Sequence, residues 1–405
     1  MDSDKTAEAS LPLAQRLALR LFSNLLPRLY RGQLDIRLGE HTYQMQGSET
    51  GPSGEIHLHR PLKFVQRIAT RGHVGLGEAY MAGDWDSPDL TALILTLAVN
   101  QQAWQRLLEG SWINRILSPL HHRRRANTKT GSRRNIAYHY DLGNDFYRLW
   151  LDVTMTYSSA VFEREDDSLE QAQHNKYQRL LTMLDAKPGQ RALEIGCGWG
   201  GFACQAASAG LKVTGLTLSK QQLAWAQQSV ADTPLEPFVE LRLQDYRDVT
   251  EQFDHIVSIE MFEAVGEDYW LTYMETLKRC LAPSGRAALQ VIAIDPSMFD
   301  DYKSSPDFIQ HYIFPGGMLP TVERFDAVVA NSGLAVVERT FHAADYVRTL
   351  AVWRETFVQH LDDIKALGYD DRFIRMWRYY LSYCEAGFVD ERIDVMQVTL
   401  THRLG

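Results

Sequence analysis

The chain has 405 residues, of which 45% are hydrophobic and 23% are charged, and its formal net charge is −9 at pH 7. This balance is typical of a globular protein and excludes a disordered chain, a collagen-like repeat and a multi-span membrane protein. The length exceeds the roughly 250–300 residues at which a single hydrophobic core stops growing, so we expect two domains. The negative net charge argues against a nucleic-acid-binding protein.

Four cysteines are spread along the chain, at Cys197, Cys204, Cys280 and Cys384, with no Cys-X-X-Cys pair. This spacing predicts neither a disulfide framework nor a zinc ribbon, and we expect no metal site. The first ten residues are acidic and polar, unlike the cationic start of a secretory signal. We therefore expect reduced thiols and a cytoplasmic location.

The first predicted element is an amphipathic helix over residues 11–31. A leucine recurs at every fourth position and marks one helical face: Leu13, Leu17, Leu21, Leu25 and Leu29. Pro27 ends or kinks this helix, and Arg16 and Arg20 exclude a membrane-spanning segment. We expect the helix to pack on its own domain, with a peripheral membrane anchor as the alternative.

Residues 34–68 alternate short apolar runs with Gly and Ser turns, which predicts strands of a small α+β domain, the run KFVQRIA at 63–69 included. Further on, six Lys and Arg residues lie within the 14 positions 121–134. We therefore place an N-terminal domain at 1–120, a basic linker at 121–135 and a second domain at 136–405. The linker is either a solvated connector or a contact with anionic lipid head groups.

From residue 191 onward, strand and helix patterns alternate. Five apolar runs predict strands: RALEIG, KVTGLTLS, FVELRLQDY, DHIVSIE and GRAALQVIAI. Helical patterns between them, at 220–230 and 269–281, predict a doubly wound parallel sheet. Further helices and a last strand are predicted at 346–362, 370–387 and 395–400. The intervening residues 296–320 are too many for an ordinary loop and predict a lid or a substrate wall.

A glycine-rich turn, EIGCGWGG, directly follows the first of these strands. Glycines let the backbone approach a ligand closely, and Gly196, Gly198 and Gly201 also satisfy the pattern of a dinucleotide site. Such a site needs an acidic residue about 20 positions further on, where this chain has Thr217. Glu194, two positions before the first glycine, instead favours a nucleoside methyl donor.

With these residues the chain resembles the cyclopropane-fatty-acyl-phospholipid synthase and mycolic acid cyclopropane synthase family of S-adenosylmethionine-dependent enzymes. The matching blocks lie between about 135 and 403: YHYDLGNDFYRLWLD, MTYSSAVF, LEIGCGWGGFA, GLTLSKQQ, LQDYRD, SIEMFEAVG, FIQHYIFPGGMLP, DYVRTLAVW and YYLSYCEAGF. The resemblance implies a Rossmann-like class I methyltransferase fold, α/β with a doubly wound, mostly parallel seven-stranded sheet. It also implies that the smaller N-terminal α+β domain engages lipid.

The same resemblance implies which residues bind S-adenosylmethionine. They come from four of the blocks and are Tyr157, Ser158, Glu194, Gly196, Gly198, Gly200, Thr217, Ser219, Gln222, Gln244 and Asp245. For Thr217 and Ser219 a second interpretation is a turn and N-cap of the following helix.

The implied reaction is methylation of a double bond in an unsaturated acyl chain of a membrane phospholipid. The alkene attacks the sulfonium methyl group, and a base removes a proton from the resulting carbocation; in the family this base is a bound bicarbonate. Loss of a proton from the new methyl group closes a cyclopropane, and the alternative is a methylene or methyl-branched chain. An alternative of a different class is a non-catalytic lipid-binding paralogue.

The resemblance places Glu263, Tyr346 and the backbone of Ile292 around that anion. Two positions depart from the family pattern, because Ser159 replaces a cysteine and Gln290 replaces a histidine. Serine and glutamine can still donate hydrogen bonds to an oxyanion, but glutamine cannot carry a proton as histidine can. The site of deprotonation therefore stays open between the two products.

Two further residues draw attention near these blocks. Cys384 matches a family cysteine once regarded as a nucleophile; we expect it to be a buried apolar residue near the acyl channel. Glu260 is expected on the same helical face as Glu263, where one carboxyl group would raise the pKa of the other. The expected partners are unsaturated phospholipid acyl chains and the anionic inner face of a membrane, with a homodimer as an open alternative and no nucleic acid.

Overall fold

The computed structural model describes residues 29–101 and 142–403. They form two compact units: the first contains the described residues of 1–120, Ser304–Ile309 and Leu361–Asp390, and the second contains the rest. The basic linker predicted at 121–135 lies outside the described residues. So does the helix predicted at 11–31 except for its last three residues, where Arg31 already begins a strand.

The strands are β1 (Arg31–Leu38), β2 (His41–Gln46), β3 (Glu49–Leu58), β4 (Trp85–Asp86), β5 (Arg191–Ile195), β6 (Lys212–Thr217), β7 (Val239–Leu243), β8 (Phe253–Ile259), β9 (Leu281–Ile294), β10 (Leu334–Phe341) and β11 (Ile393–His402). The helices are α1 (Pro61–Met81), α2 (Leu90–Val99), α3 (Asn144–Arg148), α4 (Leu169–Leu184), α5 (Gly201–Ser208), α6 (Lys220–Val230), α7 (Phe262–Val265), α8 (Trp270–Cys280), α9 (Phe299–Ser304), α10 (Phe308–Tyr312), α11 (Val322–Ser332), α12 (Ala343–Gln359), α13 (Leu361–Ala366) and α14 (Asp371–Val389).

The first unit combines a four-stranded sheet, in the order β2-β1-β3-β4, with helices α1, α2, α13 and α14. Leu34, Ile36 and Leu38 alternate along β1 and are buried, as expected for a strand with one covered face. The predicted α+β character of this part is confirmed. Residues 361–390, which the sequence analysis placed in the second domain, belong to this unit.

The predicted strand at 63–69 is wrong, because these residues lie within helix α1. Phe64 and Ile68 are both buried and four positions apart, which is the spacing of one helical face. A short apolar run of this kind fits a strand or a helix equally well until its neighbours decide which face is covered.

The second unit is built on a seven-stranded sheet in the order β10-β11-β9-β8-β5-β6-β7. Five neighbouring strands run parallel to one another, namely β9, β8, β5, β6 and β7. Strand β11 runs antiparallel to both of its neighbours, β9 and β10. The predicted doubly wound, mostly parallel α/β sheet is confirmed. Of the seven strands of this sheet, β10 is the one that the sequence patterns missed.

Successive residues of the central strands point to opposite faces of this sheet. Ala192 of β5 and Val257 of β8 pack with helices α4 and α5, whereas Leu193 and Ile256 pack with α8 and α11. Burial on both faces explains why these strands read as continuous apolar runs. The parallel strands also bring their carboxyl ends to one edge, where ligands of such sheets bind.

The segment predicted as a lid or substrate wall, 296–320, contains helices α9 and α10. Its last part, from residue 310, belongs to the second unit. There the Met318 amide donates a hydrogen bond of 2.8 Å to the Glu263 carbonyl oxygen. Within the described ranges, none of the helices combines the length and apolar character needed to cross a bilayer.

Candidate active site

The glycine-rich turn connects β5 to α5 at the carboxyl edge of the sheet. Gly196 and Gly198 have φ angles of 84° and 51°, in the left-handed region that favours glycine. A Cβ atom at Gly196 would come within 2.3 Å of Met261 Cγ, whereas a Cβ at Gly198 would meet no atom within 4 Å. The turn is therefore packed on one side and open on the other.

That open side belongs to a cavity along the ends of β5, β6 and β8. Of the predicted donor-binding residues, the following line it: Tyr157, Ser158, Glu194, Gly196, Gly198, Thr217, Gln222 and Gln244. Gly200, Ser219 and Asp245 do not line it. The blocks therefore converge on one cavity although they are separated by up to 87 positions, from Tyr157 to Gln244.

The three residues outside the lining stabilise the local structure next to the cavity. Ser219 caps helix α6, its hydroxyl accepting a hydrogen bond of 3.2 Å from the Gln222 amide, as the second interpretation of this residue proposed. Asp245 forms an ion pair with Arg247, with 2.6 Å between the charged atoms. A Cβ atom at Gly200 would lie 3.1 Å from Ala226 of helix α6, so this glycine lets α5 and α6 approach each other.

Glu194 provides a test of whether this cavity fits the methyl donor. Its carboxyl group is buried, and Oε2 has no hydrogen-bond partner among the described residues. Burial raises its pKa to about 8. An unpartnered carboxyl oxygen beside a glycine turn fits a polar ligand with hydrogen-bond donors, such as the amino-acid end or ribose of S-adenosylmethionine.

Lys176 of helix α4 is a residue that the sequence analysis missed. It is fully buried, and its Nζ donates a hydrogen bond of 2.6 Å to the Ser158 hydroxyl at the cavity wall. Burial lowers its pKa to about 7, against the attraction of Glu260 and other carboxylates. The sequence signal that could have identified Lys176 is its position on the apolar face of α4, four positions before Leu180.

Glu260 stands at the centre of the predicted anion site. Its Oε1 accepts hydrogen bonds of 2.8 Å from the Ser159 amide and 2.8 Å from Gln290 Nε2, and its Oε2 accepts one of 2.9 Å from the Tyr346 hydroxyl. Glu260 also lines the cavity. Three of the residues predicted to hold bicarbonate therefore bind a carboxylate of the chain itself.

The expectation that Glu260 shares a helical face with Glu263 is wrong. Helix α7 begins only at Phe262, and Glu260 has a φ of 51° in the turn after β8. The left-handed conformation points the chain, and with it the Glu260 side chain, away from the helical path. Burial raises the pKa of Glu260, while its three hydrogen bonds and the charge of Lys176 oppose that shift.

Glu263 and Ile292 form a separate pair beside this centre. The Ile292 amide donates a hydrogen bond to Glu263 Oε1, and Oε2 is buried with no partner among the described residues. Burial and the neighbouring charge of Glu260 raise the pKa of Glu263 to about 8. The second acid of the site is therefore mainly protonated at neutral pH.

A chain of amides orients Gln290. Gln397 Nε2 donates a hydrogen bond of 2.9 Å to Gln290 Oε1, and Gln397 Oε1 accepts one of 2.9 Å from Arg179 Nε. Because Gln290 Oε1 is an acceptor in this chain, its Nε2 must point to Glu260. No sequence motif contained Arg179 or Gln397, since they come from α4 and β11.

Packed aromatic rings lie beside both parts of the site. Tyr157, a cavity residue, lies 5.3 Å from Trp353 and 5.5 Å from Trp150 between ring centroids. Trp353 also contacts Tyr346, at 6.1 Å. These apolar faces exclude water, and they stabilise positive charge that approaches them.

Cys384 lies on helix α14, which belongs to the first unit. It is only partly buried, so the expectation of full burial is wrong. On the amphipathic α14, position 384 falls between the buried face and solvent. The hydrogen-bonded centre in the second unit is built without this cysteine.

Comparison with known proteins gives consistent findings. A family model described as mycolic acid cyclopropane synthetase matches residues 127–398. Tuberculostearic acid methyltransferase of Mycobacterium tuberculosis is 37% identical, covering 99% of this chain and 96% of its own. Cyclopropane-fatty-acyl-phospholipid synthase of Escherichia coli is 36% identical, and the match covers 86% of this chain and 87% of that protein. The solved structure of mycolic acid cyclopropane synthase CmaA1 complexed with SAH and CTAB has a TM-score of 0.63 at 31% sequence identity, covering 66% of this chain and 97% of that chain.

Proposed function

The chain belongs to the mycolic acid cyclopropane synthetase family of S-adenosylmethionine-dependent methyltransferases, and we propose that it methylates the double bond of an unsaturated acyl chain in a phospholipid. The observation that carries this proposal is the position of Glu260, which lines the donor cavity and also centres the carboxylate site. Methyl transfer and deprotonation need donor and base next to each other.

When bound, the donor supplies a sulfonium methyl group to which the alkene bonds. The residues of this chain then have two tasks. Glu194, Thr217 and Gln222 hold the donor in the cavity, and the rings of Tyr157 and Trp353 keep water from the carbocation. Water exclusion is required because a carbocation exposed to water would become an alcohol.

The first product that we propose is a cyclopropane. The C–H electron pair of the new methyl group forms the second ring bond to the cationic carbon, and the proton leaves to a nearby base. The bicarbonate expected as that base would need the amide of Ser159, the amide of Gln290 and the hydroxyl of Tyr346. All three donate to Glu260 here.

A second candidate product is a methylene-branched chain. It forms when a hydride shifts from the methylated carbon to the cationic carbon before the methyl proton leaves, so the same C–H electron pair makes a double bond between the chain and the new carbon. The similarity to a protein named tuberculostearic acid methyltransferase over 99% of this chain supports it.

We further propose peripheral binding to an anionic membrane surface, where this phospholipid substrate resides. The support is the run of six basic residues at 121–134, each of which contributes ~1 kcal/mol near anionic lipid. The non-catalytic alternative is not retained, because the chain is a methyltransferase by family and the donor cavity retains its lining.

The test uses purified full-length protein, S-adenosylmethionine and vesicles of unsaturated phosphatidylglycerol. We expect S-adenosylhomocysteine to accumulate with these vesicles and not with fully saturated ones. The two products are isomers, so proton NMR of the released fatty acids separates cyclopropane ring protons from the vinylidene (=CH2) protons of the methylene-branched chain. Equal turnover with saturated lipid, or none with either, would overturn the proposed substrate.

A further inference from the structure

The three hydrogen-bond donors predicted to hold an external anion are occupied by one side chain. Glu260 takes the Ser159 amide and the Gln290 amide on Oε1 and the Tyr346 hydroxyl on Oε2. A carboxylate offers about four lone-pair positions, two on each oxygen. These three bonds use both positions of Oε1 and one of Oε2, which leaves Oε2 able to accept a proton.

We propose that Glu260 is the base of this enzyme: its carboxylate replaces the external bicarbonate and receives the proton that leaves the methylated chain. This inference rests on the proposed methyl transfer to an alkene. In the balanced step, the methyl C–H bond breaks, its electron pair forms the new carbon–carbon bond, and the proton passes to Glu260 Oε2. The protonated carboxyl group then releases the proton to solvent, and no further reactant is needed.

The backbone shows that this carboxylate is held in place. Glu260 has a φ of 51°, a conformation that costs a residue with a Cβ more than it costs glycine. Its amide donates a hydrogen bond of 2.8 Å to the Gln290 carbonyl oxygen, which fixes the turn against β9. The strained backbone and the three side-chain bonds together fix one position for the carboxyl group.

The charges of the neighbouring groups also favour Glu260 as the ionised partner. Three donors point at Glu260, whereas Glu263 receives one amide and leaves Oε2 without a partner among the described residues. Burial and the charge of Glu260 raise the pKa of Glu263 to about 8. Of the two acids, Glu260 therefore has the surroundings that favour the negative charge, and an added bicarbonate would place a second charge beside it.

The decisive variants are Glu260→Gln, which keeps the size of the side chain but cannot take a proton, and Glu260→Gly, which empties the space and suits a positive φ. Glu275→Gln, on the exposed face of α8, is the matched control. In bicarbonate-free buffer we expect full turnover by the wild type and the control, and a loss of about 10²-fold or more in both Glu260 variants. Bicarbonate should restore Glu260→Gly by at least about tenfold and leave Glu260→Gln unchanged, because the amide fills the site.

Titration calorimetry gives readouts that do not depend on turnover. We expect bicarbonate to bind to Glu260→Gly and not to the wild type, while S-adenosylhomocysteine binds to all variants, which shows that they fold. Bicarbonate dependence of the wild type, or Glu260→Gln retaining more than about a tenth of wild-type turnover, would overturn the inference. If neither the wild type nor any variant turns over unsaturated lipid, the proposed function fails. The bicarbonate titrations still decide whether Glu260 or bicarbonate occupies the anion site.

Discussion

The side-chain amide of Gln290 donates a hydrogen bond of 2.8 Å to the carboxylate of Glu260. At position 290, a neutral amide stands where the resemblance implied a histidine, and it contacts the acid at the centre of the site. A protonated histidine would hold Glu260 ionised and weaken it as a base. The neutral amide orients the carboxylate without that effect.

The amide chain behind Gln290 predicts a positioning role for Gln397. Gln397→Leu should lower turnover by about tenfold, because Gln290 can then turn its oxygen toward Glu260 and repel it. Binding of S-adenosylhomocysteine should not change. The double variant with Gln290→Leu should be no slower than Gln290→Leu alone, since the two act as one unit. Additive losses would show that Gln397 acts in another way.

The raised pKa of Glu263 predicts that the free energy of unfolding depends on pH. Its pKa rises from 4.5 in the unfolded chain to about 8 in the folded one. Below pH 4.5 both states carry the proton; above it only the folded state does, so this contribution to stability falls as pH rises and is lost through about pH 8. Glu263→Gln removes this dependence.

Urea unfolding of both proteins from pH 5 to pH 9 measures the effect. The free energy of unfolding of Glu263→Gln should increase relative to that of the wild type as the pH rises, with little further change above about pH 8. The surface variant Glu275→Gln should follow the wild-type curve. A constant difference between Glu263→Gln and the wild type would show that the folded-state pKa is not raised.

Replacement of Gly198 or Gly196 by alanine should affect different properties, ligand binding in the first case and stability in the second. Gly198→Ala places a methyl group in open space, so the protein should fold with a modest loss of about 1 kcal/mol from its positive φ. Binding of S-adenosylhomocysteine should weaken by at least about tenfold, because the methyl group enters the donor cavity. Gly196→Ala should instead lower the thermal midpoint strongly, since its Cβ would overlap Met261. Calorimetry and thermal unfolding separate the two, and unimpaired binding by Gly198→Ala would place the donor elsewhere.

The basic linker predicts a salt-dependent interaction with lipid. Replacing Arg123, Arg124 and Arg125 by glutamine should reduce co-sedimentation with phosphatidylglycerol vesicles by several fold at low salt. The difference should shrink at ~0.15 M salt, where screening limits the reach of charges to ~8 Å. Neutral phosphatidylcholine vesicles serve as the control. Equal binding of the wild type and the variant at low salt would show that these arginines do not contribute to membrane binding.

Local patterns were sufficient to predict the parallel strands of the sheet and the glycine turn at their edge. The parallel strands are read from continuous apolar runs because burial on both faces leaves a local pattern. The glycine turn and its helix come from adjacent residues, and eight of the eleven predicted donor-binding residues line the cavity. Local patterns failed where a run fits two structures, as at 63–69, which the sequence predicted as a strand and which lies in α1.

Which acid is central depends on the packing of segments that are distant in the chain. Glu260 and Glu263 lie three positions apart, and the family resemblance placed only Glu263 at the anion, but the left-handed backbone at Glu260 turns Glu260 toward donors from distant segments. Ser159 and Tyr346 are separated from Glu260 by 101 and 86 positions, and Gln290 by 30. Contacts over such distances depend on how the strands and helices pack, which no local residue pattern records.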